Sequence, residues 1–343
     1  MHCIIQGLIR RIRQTGRVTF KHGQGLLWGS LCLLLVSQGP AWAGQLGHSG
    51  PGVFNIRDLL MPEAGFYVAP YFIWYNSNTL KDGNGNAVTS INAGPVKLNV
   101  DTSVKSYTFV PALVWVSKWE IFGARYGAEI LPSFGNMSFQ AALRTDTGFG
   151  IGLDESSYGA GDLGVKPIWL NWEGDHYSIN TSYAFYAPTG RYSNGASDNI
   201  GLGFWTQEFQ VATAWFPWKH RGTAVTLTGT YEIQSKMQGV NITPGDRVSL
   251  SWGISQYLPL NDANSLIVEV GPMGYSQWQV QHDHGSDVNP SFNIKDQIHA
   301  AGGQVSMLYS PWKASLNFHA LQEFNARARF EGQWYVLSLA KGF

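Results

Sequence analysis

The sequence predicts an all-β fold: a closed, transmembrane antiparallel β-barrel of about 12 strands with short periplasmic turns and long outer loops. Three observations support this prediction. Apolar and polar side chains alternate along many segments, long and short connections alternate between these segments, and charged residues are scarce. Alternation with a period of two indicates a strand with two different faces. In a membrane barrel one face contacts lipid and the other lines the lumen.

The composition favours a membrane wall over a soluble surface. Charged residues make up 13% of the chain, whereas soluble proteins carry about a quarter. A lipid-facing wall has little use for charge, and the 40 glycines suit the tight turns of a barrel. No apolar run of about 18 residues follows residue 44, so we expect no helical membrane span.

Residues 1–43 are predicted to be a cleaved signal peptide. The segment contains basic residues but no acidic ones, and residues 26–36 form an apolar core too short to span a bilayer. Ala41-Trp42-Ala43 is a cleavage motif, so the mature chain is expected to begin near Gly44. An uncleaved N-terminal anchor is the alternative.

Removal of this segment also removes both cysteines, Cys3 and Cys32. The mature chain would then have no disulfide and no thiol chemistry. It would carry 18 basic and 23 acidic residues. This excess of negative charge argues against a nucleic-acid partner, which requires a basic face.

Twelve segments are predicted strands, each long enough to cross the membrane at a tilt. In 222–234, for example, Thr226, Thr228 and Thr230 alternate with apolar residues. The predicted strands lie near 65–77, 104–117, 120–132, 162–172, 177–187, 205–216, 222–234, 246–257, 264–280, 298–309, 314–325 and 331–343. Because the number is even, both termini are expected on the same side of the membrane, the periplasm.

The lengths of the connections distinguish a membrane barrel from a soluble sandwich. The long connections are 78–103, 133–161, 188–204, 235–245 and 281–297, and the short ones are 118–119, 173–176, 217–221, 258–263 and 310–313. Short periplasmic turns opposite long outer loops are the outer-membrane pattern. A sandwich has no reason to segregate loop lengths in this way. The last outer loop, near 326–330, is short.

Tryptophans cluster near the predicted short turns, where they are expected to form one girdle at the membrane interface. Two turns share a Pro-Trp-Lys unit, at 217–219 and 311–313. The girdle is predicted to contain Trp115, Trp119, Trp172, Trp215, Trp218, Trp312 and Trp334. Ordinary core tryptophans are the alternative.

The final strand ends in Phe343, and Tyr335, Leu337 and Leu339 share its face. This pattern resembles the C-terminal strand that the outer-membrane assembly machinery recognises. The expected partners are therefore this machinery and outer-membrane lipid.

Charged residues of both signs fall on the predicted lumen face. Either they line a pore or hold a substrate, or they form ion pairs that fill a narrow barrel. The lumen-lining candidates are Arg125, Glu129, Asp162, Lys166, Glu208, Glu232, Arg247, Glu269, His319 and Glu323.

The first strand is aromatic or apolar on both faces. One interpretation is an aromatic path for a hydrophobic substrate, and the other is packing against residues 44–63 folded into the lumen. The path candidates are Phe66, Tyr67, Tyr71, Phe72, Trp74 and Tyr75. The chain thus divides into a signal peptide (1–43), an N-terminal segment that is a candidate lumen plug (44–63) and the barrel (64–343).

No cofactor, metal site or enzymatic activity is predicted. His282-Asp283-His284 is the best metal candidate, but it lies where a strand becomes a loop, so a solvated loop tip is preferred. His284-Gly285-Ser286 resembles the His-x-Ser pairs of barrel lipid hydrolases. A serine nucleophile needs a neighbouring base and a third group that orients it, and here the surrounding residues are predicted loop.

Eight short motifs follow one another in an order that is similar to a known family. They are Met61-Pro62-Glu63-Ala64-Gly65-Phe66-Tyr67, Gly161-Asp162-Leu163 with Pro167, Pro188-Thr189-Gly190-Arg191-Tyr192, Asn199-Ile200-Gly201 with Trp205-Thr206, Tyr231-Glu232, Thr243-Pro244-Gly245-Asp246, Gly274-Tyr275 with Gln277, and Phe330-Glu331-Gly332. On these motifs the mature chain resembles the outer-membrane proteins grouped under "meta-pathway of phenol degradation", which include sphingosine-induced outer-membrane proteins.

The resemblance implies a barrel in the outer membrane of a Gram-negative bacterium that helps to take up aromatic or other hydrophobic compounds. The expected function is therefore a porin-like channel or transporter for hydrophobic small molecules. Two alternatives stay open. One is a barrel lipid hydrolase that uses His284 and Ser286, and the other is a filled barrel with a structural or surface-interaction role.

Overall fold

The structure, a computed structural model, describes residues 47–93, 95–148 and 150–343. The predicted signal peptide and residues 44–46 lie outside the described residues. The strands are β1 (Gly65–Leu80), β2 (Ser90–Ala93), β3 (Val96–Ile121), β4 (Ala124–Leu131), β5 (Phe134–Arg144), β6 (Gly150–Ala160), β7 (Leu163–Glu173), β8 (Tyr177–Ala187), β9 (Thr206–Trp215), β10 (Thr223–Gln234), β11 (Arg247–Pro259), β12 (Leu266–Gln279), β13 (Gln297–Tyr309), β14 (Ala314–Arg327) and β15 (Phe330–Gly342). Two short 3₁₀ turns lie at Pro290–Phe292 and Ser310–Trp312. The described residues contain no helix of the length and apolarity that a membrane span requires.

Twelve of the strands form a closed antiparallel barrel, as the sequence predicts. Around the wall the order is β1, β15, β14, β13, β12, β11, β10, β9, β8, β7, β4 and β3, and β3 pairs with β1 to close the ring. Closure matters in lipid because the bilayer core offers no water to hydrogen-bond an open strand edge. The short turns and the two ends of the barrel chain lie at one rim, where the backbone N–H of Phe343 donates to the carbonyl of Phe66 at 2.9 Å.

The loop prediction was wrong for two of the long connections, 78–103 and 133–161. The first contains β2 and the start of β3, and the second contains all of β5 and β6. These strands extend the wall beyond the barrel, where the first half of β3 pairs with β5 and β5 pairs with β6. Because this extension lies outside the twelve-strand wall, its strands need no lipid-facing apolar row, and the period-two pattern is weak.

Side chains alternate between the lumen and the outer surface along each barrel strand. On β9, Glu208 and Gln210 are buried inside, whereas Phe209 and Val211 are exposed on the outer face. The apolar outer face and the polar inner face are thus assigned as the sequence predicts.

The interfacial girdle has one fewer member than predicted. Trp115, Trp119, Trp172, Trp215, Trp218 and Trp312 lie towards the short-turn rim. Trp334 instead faces the lumen, packs against Tyr75 and donates a hydrogen bond to Glu323 at 3.0 Å. Its neighbour Tyr335 faces outward, so a period of two requires Trp334 to face inward.

The wall depends on close backbone approach at Gly271. A Cβ atom at this position would lie 1.8 Å from the carbonyl oxygen of Ile254 on the neighbouring strand. We expect Gly271→Ala to destabilise the barrel by about 1–3 kcal/mol, because overpacking forces the backbone to shift. The midpoint of thermal unfolding, read as the change in electrophoretic mobility of the folded barrel, measures the effect.

Gly229→Ala is the matched control, because a Cβ atom on this β10 glycine meets nothing within 4 Å. It should unfold at the wild-type temperature or above it, since alanine restricts the unfolded chain more than glycine does. Equal unfolding temperatures for the two variants would show that the β11–β12 contact does not limit stability.

Candidate functional site

Residues 47–63 lie inside the barrel and run from the long-loop rim to the short-turn rim. At the long-loop rim, the backbone of Gly47 packs against Glu232 and Arg247. At the short-turn rim, the carbonyl of Pro62 accepts a hydrogen bond from Arg125 at 2.8 Å. Buried backbone polar groups need partners, and for this irregular segment the barrel wall supplies many of them.

His48 fastens the segment at the long-loop rim. Its Nε2 lies 2.8 Å from Asp162 Oδ2, and its Nδ1 lies 2.6 Å from the hydroxyl of Thr206. The imidazole stacks on Tyr186 at a centroid distance of 4.9 Å and meets Phe204 edge-on. Both ring nitrogens and both ring faces are therefore engaged by the wall and its loops.

Asp162 joins His48 to two points of the loop between β8 and β9. Its Oδ1 accepts from the backbone N–H of Gly190 at 2.8 Å, and its Oδ2 accepts from that of Leu202 at 2.7 Å. Burial tends to raise the pKa of Asp162, but the hydrogen bonds from His48, Leu202 and Gly190 outweigh it and hold the pKa below its ordinary value. The carboxylate thus stays charged and acts as an acceptor for all three.

Glycines make this junction compact enough to form. A Cβ atom on Gly190 would lie 2.7 Å from the carbonyl carbon of Gly161 and 2.8 Å from Cα of Gly201. Three backbone segments, from the β6–β7 connection and from two parts of the β8–β9 loop, therefore pass one another at a distance that only glycine permits. Gly161, Gly190 and Gly201 belong to three of the sequence motifs, and the structure gives these motifs a shared role around Asp162.

Two wall carboxylates hold the next residue of the segment. Glu208 on β9 and Glu232 on β10 are direct cross-strand neighbours, and both are buried. The backbone N–H of Ser49 donates to Glu232 Oε1 at 2.8 Å. The N-terminal segment therefore supplies a hydrogen-bond donor to one of two neighbouring buried carboxyl groups.

The middle of the segment contacts strands β13 to β15. His319 lies 2.8 Å from the carbonyl of Gly52 and 3.0 Å from the Asn55 side chain. The Asn55 amide also donates to Ser338 at 2.8 Å, and the backbone N–H of Ile56 donates to Gln304 at 2.7 Å.

Arg57 anchors the segment at the short-turn rim. Its Nε lies 3.0 Å from Glu269 and donates to Ser255 at 2.7 Å. Its two terminal nitrogens donate to the carbonyls of Arg221 and Gly222, each at 2.9 Å. The guanidinium also stacks over Tyr257, with Cζ 3.7 Å from the ring centroid. All three guanidinium nitrogens of Arg57 and one face of the guanidinium thus contact the wall.

Nine of the ten predicted lumen-lining residues are buried; the exception, Arg125, is half-buried at the short-turn rim. They do not gather at one point but form separate contacts. Lys166 pairs with Glu129 at 2.9 Å, and Glu323 accepts hydrogen bonds from Tyr75, Tyr275, Trp334 and the backbone of Gly332.

Asp296 lies between Arg247 and Arg329. Arg247 donates to it at 2.8 Å and Arg329 at 3.2 Å. Burial tends to raise the pKa of Asp296, but the two guanidiniums outweigh it and hold the pKa below its ordinary value.

The six aromatic-path candidates divide between the two faces of β1. Phe66, Phe72 and Trp74 face outward, whereas Tyr67, Tyr71 and Tyr75 face the lumen. The six therefore do not line a single interior path. Tyr71 hydrogen-bonds Asp58 at 2.7 Å and meets Phe54 edge-on, so it packs against the N-terminal segment.

Sequence reasoning did not find His48, Arg57 or Asp296. All three lie in irregular segments, where no period of two marks the face of a residue. Their partners are far away in the chain: His48 and Asp162 are 114 residues apart. For His48 and Arg57 the sequence offered one signal, which is the presence of ionisable residues in a largely apolar N-terminal segment that is predicted to lie beside a barrel.

The His-Asp-His and His-x-Ser motifs lie on an outer loop. Asp283 accepts from the backbone of Gly245 at 2.9 Å, and Ser286 donates to Asp287 at 3.1 Å. Among the described residues, no three or more His, Cys, Asp or Glu side chains are placed to hold a metal ion.

A serine–histidine pair that the sequence analysis did not single out faces outward on β12 and β13. Ser276 Oγ lies 2.7 Å from His299 Nδ1, and the imidazole packs between Trp278 and Phe324. The two polar groups satisfy each other on a wall that faces lipid, where an unpaired polar group is costly.

The chain is similar to known outer-membrane proteins. The family model described as "Putative MetA-pathway of phenol degradation" matches residues 77–339. The COG4313 outer membrane channel from Pseudomonas putida F1 is 14% identical with a TM-score of 0.55, over 84% of this chain and 100% of that chain. No curated protein matches the sequence.

Two further solved structures align with lower scores. The β domain of the Bordetella autotransporter BrkA is 11% identical with a TM-score of 0.44, over 82% of this chain and 100% of that chain. A Pseudomonas aeruginosa FadL homologue is also 11% identical, with a TM-score of 0.34, over 89% of this chain and 97% of that chain. At these identities the likeness to the Pseudomonas putida channel shows the fold alone, which is that of an outer-membrane β-barrel.

His48→Ala should loosen the outer half of the N-terminal segment. The substitution removes hydrogen bonds to a charged partner, which are worth about 1.5–3 kcal/mol. We expect the backbone amide of Ser49 to exchange with deuterium about tenfold faster or more, as measured by mass spectrometry. His220→Ala on the short-turn rim is the control and should leave this exchange unchanged. Equal rates in wild type and His48→Ala would show that His48 does not fasten the segment.

Arg57→Ala should destabilise the whole barrel, because Glu269 would be left buried without a counter-charge. Removing one partner of a buried ion pair costs about 3–5 kcal/mol, and urea unfolding measures it. Arg144→Ala is the control: its ion pair with Asp101 is exposed and spans 3.7 Å, so we expect a change below about 1 kcal/mol. Adding Glu269→Gln to Arg57→Ala should recover part of the loss. A small loss with no recovery would contradict the anchoring role.

Proposed function

The chain belongs to the family described as the putative MetA-pathway of phenol degradation, and from this premise we propose that it is an outer-membrane channel for the uptake of aromatic or other hydrophobic small molecules, closed at rest by its N-terminal segment. The observation that carries the proposal is the occupied lumen. Residues 47–63 reach from one rim to the other. The contacts of these described residues with the wall are non-covalent, and the segment continues covalently into the wall where the chain enters β1. A segment held in this way can be displaced, whereas a packed barrel wall cannot.

The apolar content of the lumen supports a hydrophobic cargo. Ile56 packs in a cluster with Met273 and Tyr275, and Met61 packs with Val116 and Trp169. An aqueous pore for ions or sugars has a polar interior. Apolar contacts between the segment and the wall instead create apolar patches in the interior, where an apolar molecule can replace the segment's apolar contacts.

In the proposed orientation the short-turn rim faces the periplasm and the long-loop rim faces the outside. Both ends of the barrel chain then lie in the periplasm, but the N-terminal segment returns through the lumen, so Gly47 lies near the outer rim. The fastening at His48 is thus on the side from which a substrate arrives.

We favour transport over lipid hydrolysis. In the His-x-Ser motif, the Ser286 hydroxyl donates to Asp287 and accepts from Asn241, so its hydrogen bonds go to groups other than His284. A hydroxyl becomes a nucleophile only when a base takes its proton. The purified protein should accordingly release no fatty acid from phospholipid vesicles, and release that Ser286→Ala abolishes would restore the hydrolase alternative.

The uptake proposal is tested in cells that lack the protein and are complemented with wild type or with the double variant His48→Ala/Arg57→Ala. Wild type should accelerate entry of 1-N-phenylnaphthylamine across the outer membrane, and the double variant should accelerate it further because the segment is released at both rims. The double variant should also conduct ions in a planar bilayer more than wild type does.

His282→Ala is the control for these measurements, because it alters an exposed histidine of the long-loop rim and not the segment. Unchanged entry across a panel of aromatic compounds and long-chain lipids, in wild type and double variant alike, would contradict the proposed function. It would favour a filled barrel with a structural role.

A further inference from the structure

A cleft runs between the N-terminal segment and the inner wall formed by β9 to β12. Its empty space, counted together with its open mouth, is 460 Å³. On the wall side it is lined by Gln210, Thr226, Thr228, Thr230 and Ser251. On the opposite side it is lined by apolar side chains, chiefly Phe54, Ile56 and Leu59 of the segment. The wall side is thus mainly polar, apart from Trp252 and Met273, and the segment side is mainly apolar, apart from Ser49 and Asn55.

The polar wall is a ladder built by strand periodicity. Thr226, Thr228 and Thr230 occupy alternate positions of β10, so their side chains project into the lumen in one row. Successive hydroxyls are about 7 Å apart along the strand. Glycine helps to shape the other boundary, because a Cβ atom on Gly253 would lie 2.8 Å from Ile56. The segment can seat against β11 only because this position has no side chain.

The hydroxyl and amide groups of the ladder retain capacity for further hydrogen bonds. Thr226 donates to the carbonyl of Gly253, Ser251 to that of Pro51, and Gln210 to Thr230, each at 3.3 Å. These distances are at the long end of the normal range. Each hydroxyl has one donor and two acceptor sites, so the ladder can accept and donate towards a molecule in the cleft.

Charge is excluded from the cleft. None of the residues that line it is charged, and the nearest charged wall residues are already engaged. Glu232 follows Thr230 on β10 and is held by Ser49, and Glu269 on β12 pairs with Arg57. A carboxylate or ammonium group that entered would lose its hydration without gaining a counter-charge, which is strongly unfavourable.

We propose that this cleft binds an uncharged small amphiphile: a molecule with a hydroxyl or carbonyl group on one edge, facing the threonine ladder, and a ring or alkyl chain on the other, facing the N-terminal segment. The proposal rests on the proposed channel function and names the substrate class that the channel selects. The proposed specificity is narrower than a preference for hydrophobic molecules, because the ligand must carry one polar group and no charged group.

The test uses the purified full-length mature protein in lipid nanodiscs, with binding followed by ¹⁹F NMR. Three probes share one ring: 4-fluorobenzyl alcohol, 4-fluorotoluene and 4-fluorobenzoate, the last charged at pH 7. We expect saturable binding of the alcohol, weaker binding of the toluene and no saturable binding of the benzoate. Nanodiscs without protein correct for partition into lipid.

Thr228→Val is the informative variant, because it removes one hydroxyl and keeps the shape of the side chain. It should weaken binding of the alcohol about two- to tenfold, the value of one hydrogen bond, and leave binding of the toluene unchanged. Thr213→Val is the matched control, since Thr213 lies on the exposed outer face of neighbouring β9. Ser251→Ala provides a second variant if Thr228→Val unfolds at a lower temperature.

Three outcomes overturn the proposal: no saturable binding of any probe, which means that the cleft holds water only; equal affinity for the alcohol and the benzoate; or equal affinity for the alcohol in wild type, Thr228→Val and Ser251→Ala. These outcomes are separable from failure of the channel function. If 1-N-phenylnaphthylamine still enters cells through the protein, only the proposed preference of the cleft for uncharged amphiphiles is contradicted. If the alcohol binds as expected but no compound enters cells, the proposed binding in the cleft is supported and the proposed channel function is contradicted.

Discussion

The structure depends on one constraint: polar and charged groups on the inner face of a narrow barrel must be paired, because the lumen is too full to hydrate them. Twelve strands enclose a small interior, and the inner face carries buried carboxylates on β9, β10 and β12. The N-terminal segment satisfies them from within. Arg57 neutralises Glu269 at one rim, and His48 and Ser49 engage Asp162 and Glu232 at the other. The segment is therefore part of the barrel interior in energetic terms as well as in position.

This constraint also explains why an opening event would be selective. Withdrawal of the segment leaves Glu269 without its counter-charge at the short-turn rim, which costs about 3–5 kcal/mol. At the long-loop rim it removes the hydrogen bonds of His48 to Asp162 and of Ser49 to Glu232, and hydrogen bonds to a charged group are worth about 1.5–3 kcal/mol. Water or a ligand would have to replace these contacts. An ion pair between the segment and the wall therefore opposes withdrawal of the segment more selectively than apolar packing alone would. A hydrophobic ligand compensates the lost apolar contacts, whereas only the segment's own donors restore the pairs. Closure after passage of a molecule is consequently favoured over a permanently open pore.

The sequence predicted the barrel wall well and its contents poorly, for a physical reason. Lipid on one side and lumen on the other impose a period of two, which is why the β9 to β12 strands could be placed with their inner and outer faces. Strands β5 and β6 lie outside that environment, and the Gly-rich and acidic composition of β6 resembles that of a loop. The contacts of His48 and Arg57 were beyond reach because an irregular segment has no periodicity. Trp334 shows the opposite case: the alternation that placed Tyr335 outward already required Trp334 to face the lumen.

The two attachments of the N-terminal segment are unequal, and the inequality gives opening a direction. At the short-turn rim the segment is held by Arg57, by the packing of Leu60 against Phe216 and by its covalent continuation into β1. At the long-loop rim the segment is held by side-chain and backbone hydrogen bonds, of which His48 makes two. Release at that rim frees the part of the segment that includes Phe54, one apolar wall of the cleft. The cleft would then widen from the long-loop rim, and a molecule that binds the threonine ladder as proposed would enter on the side where the segment gives way first.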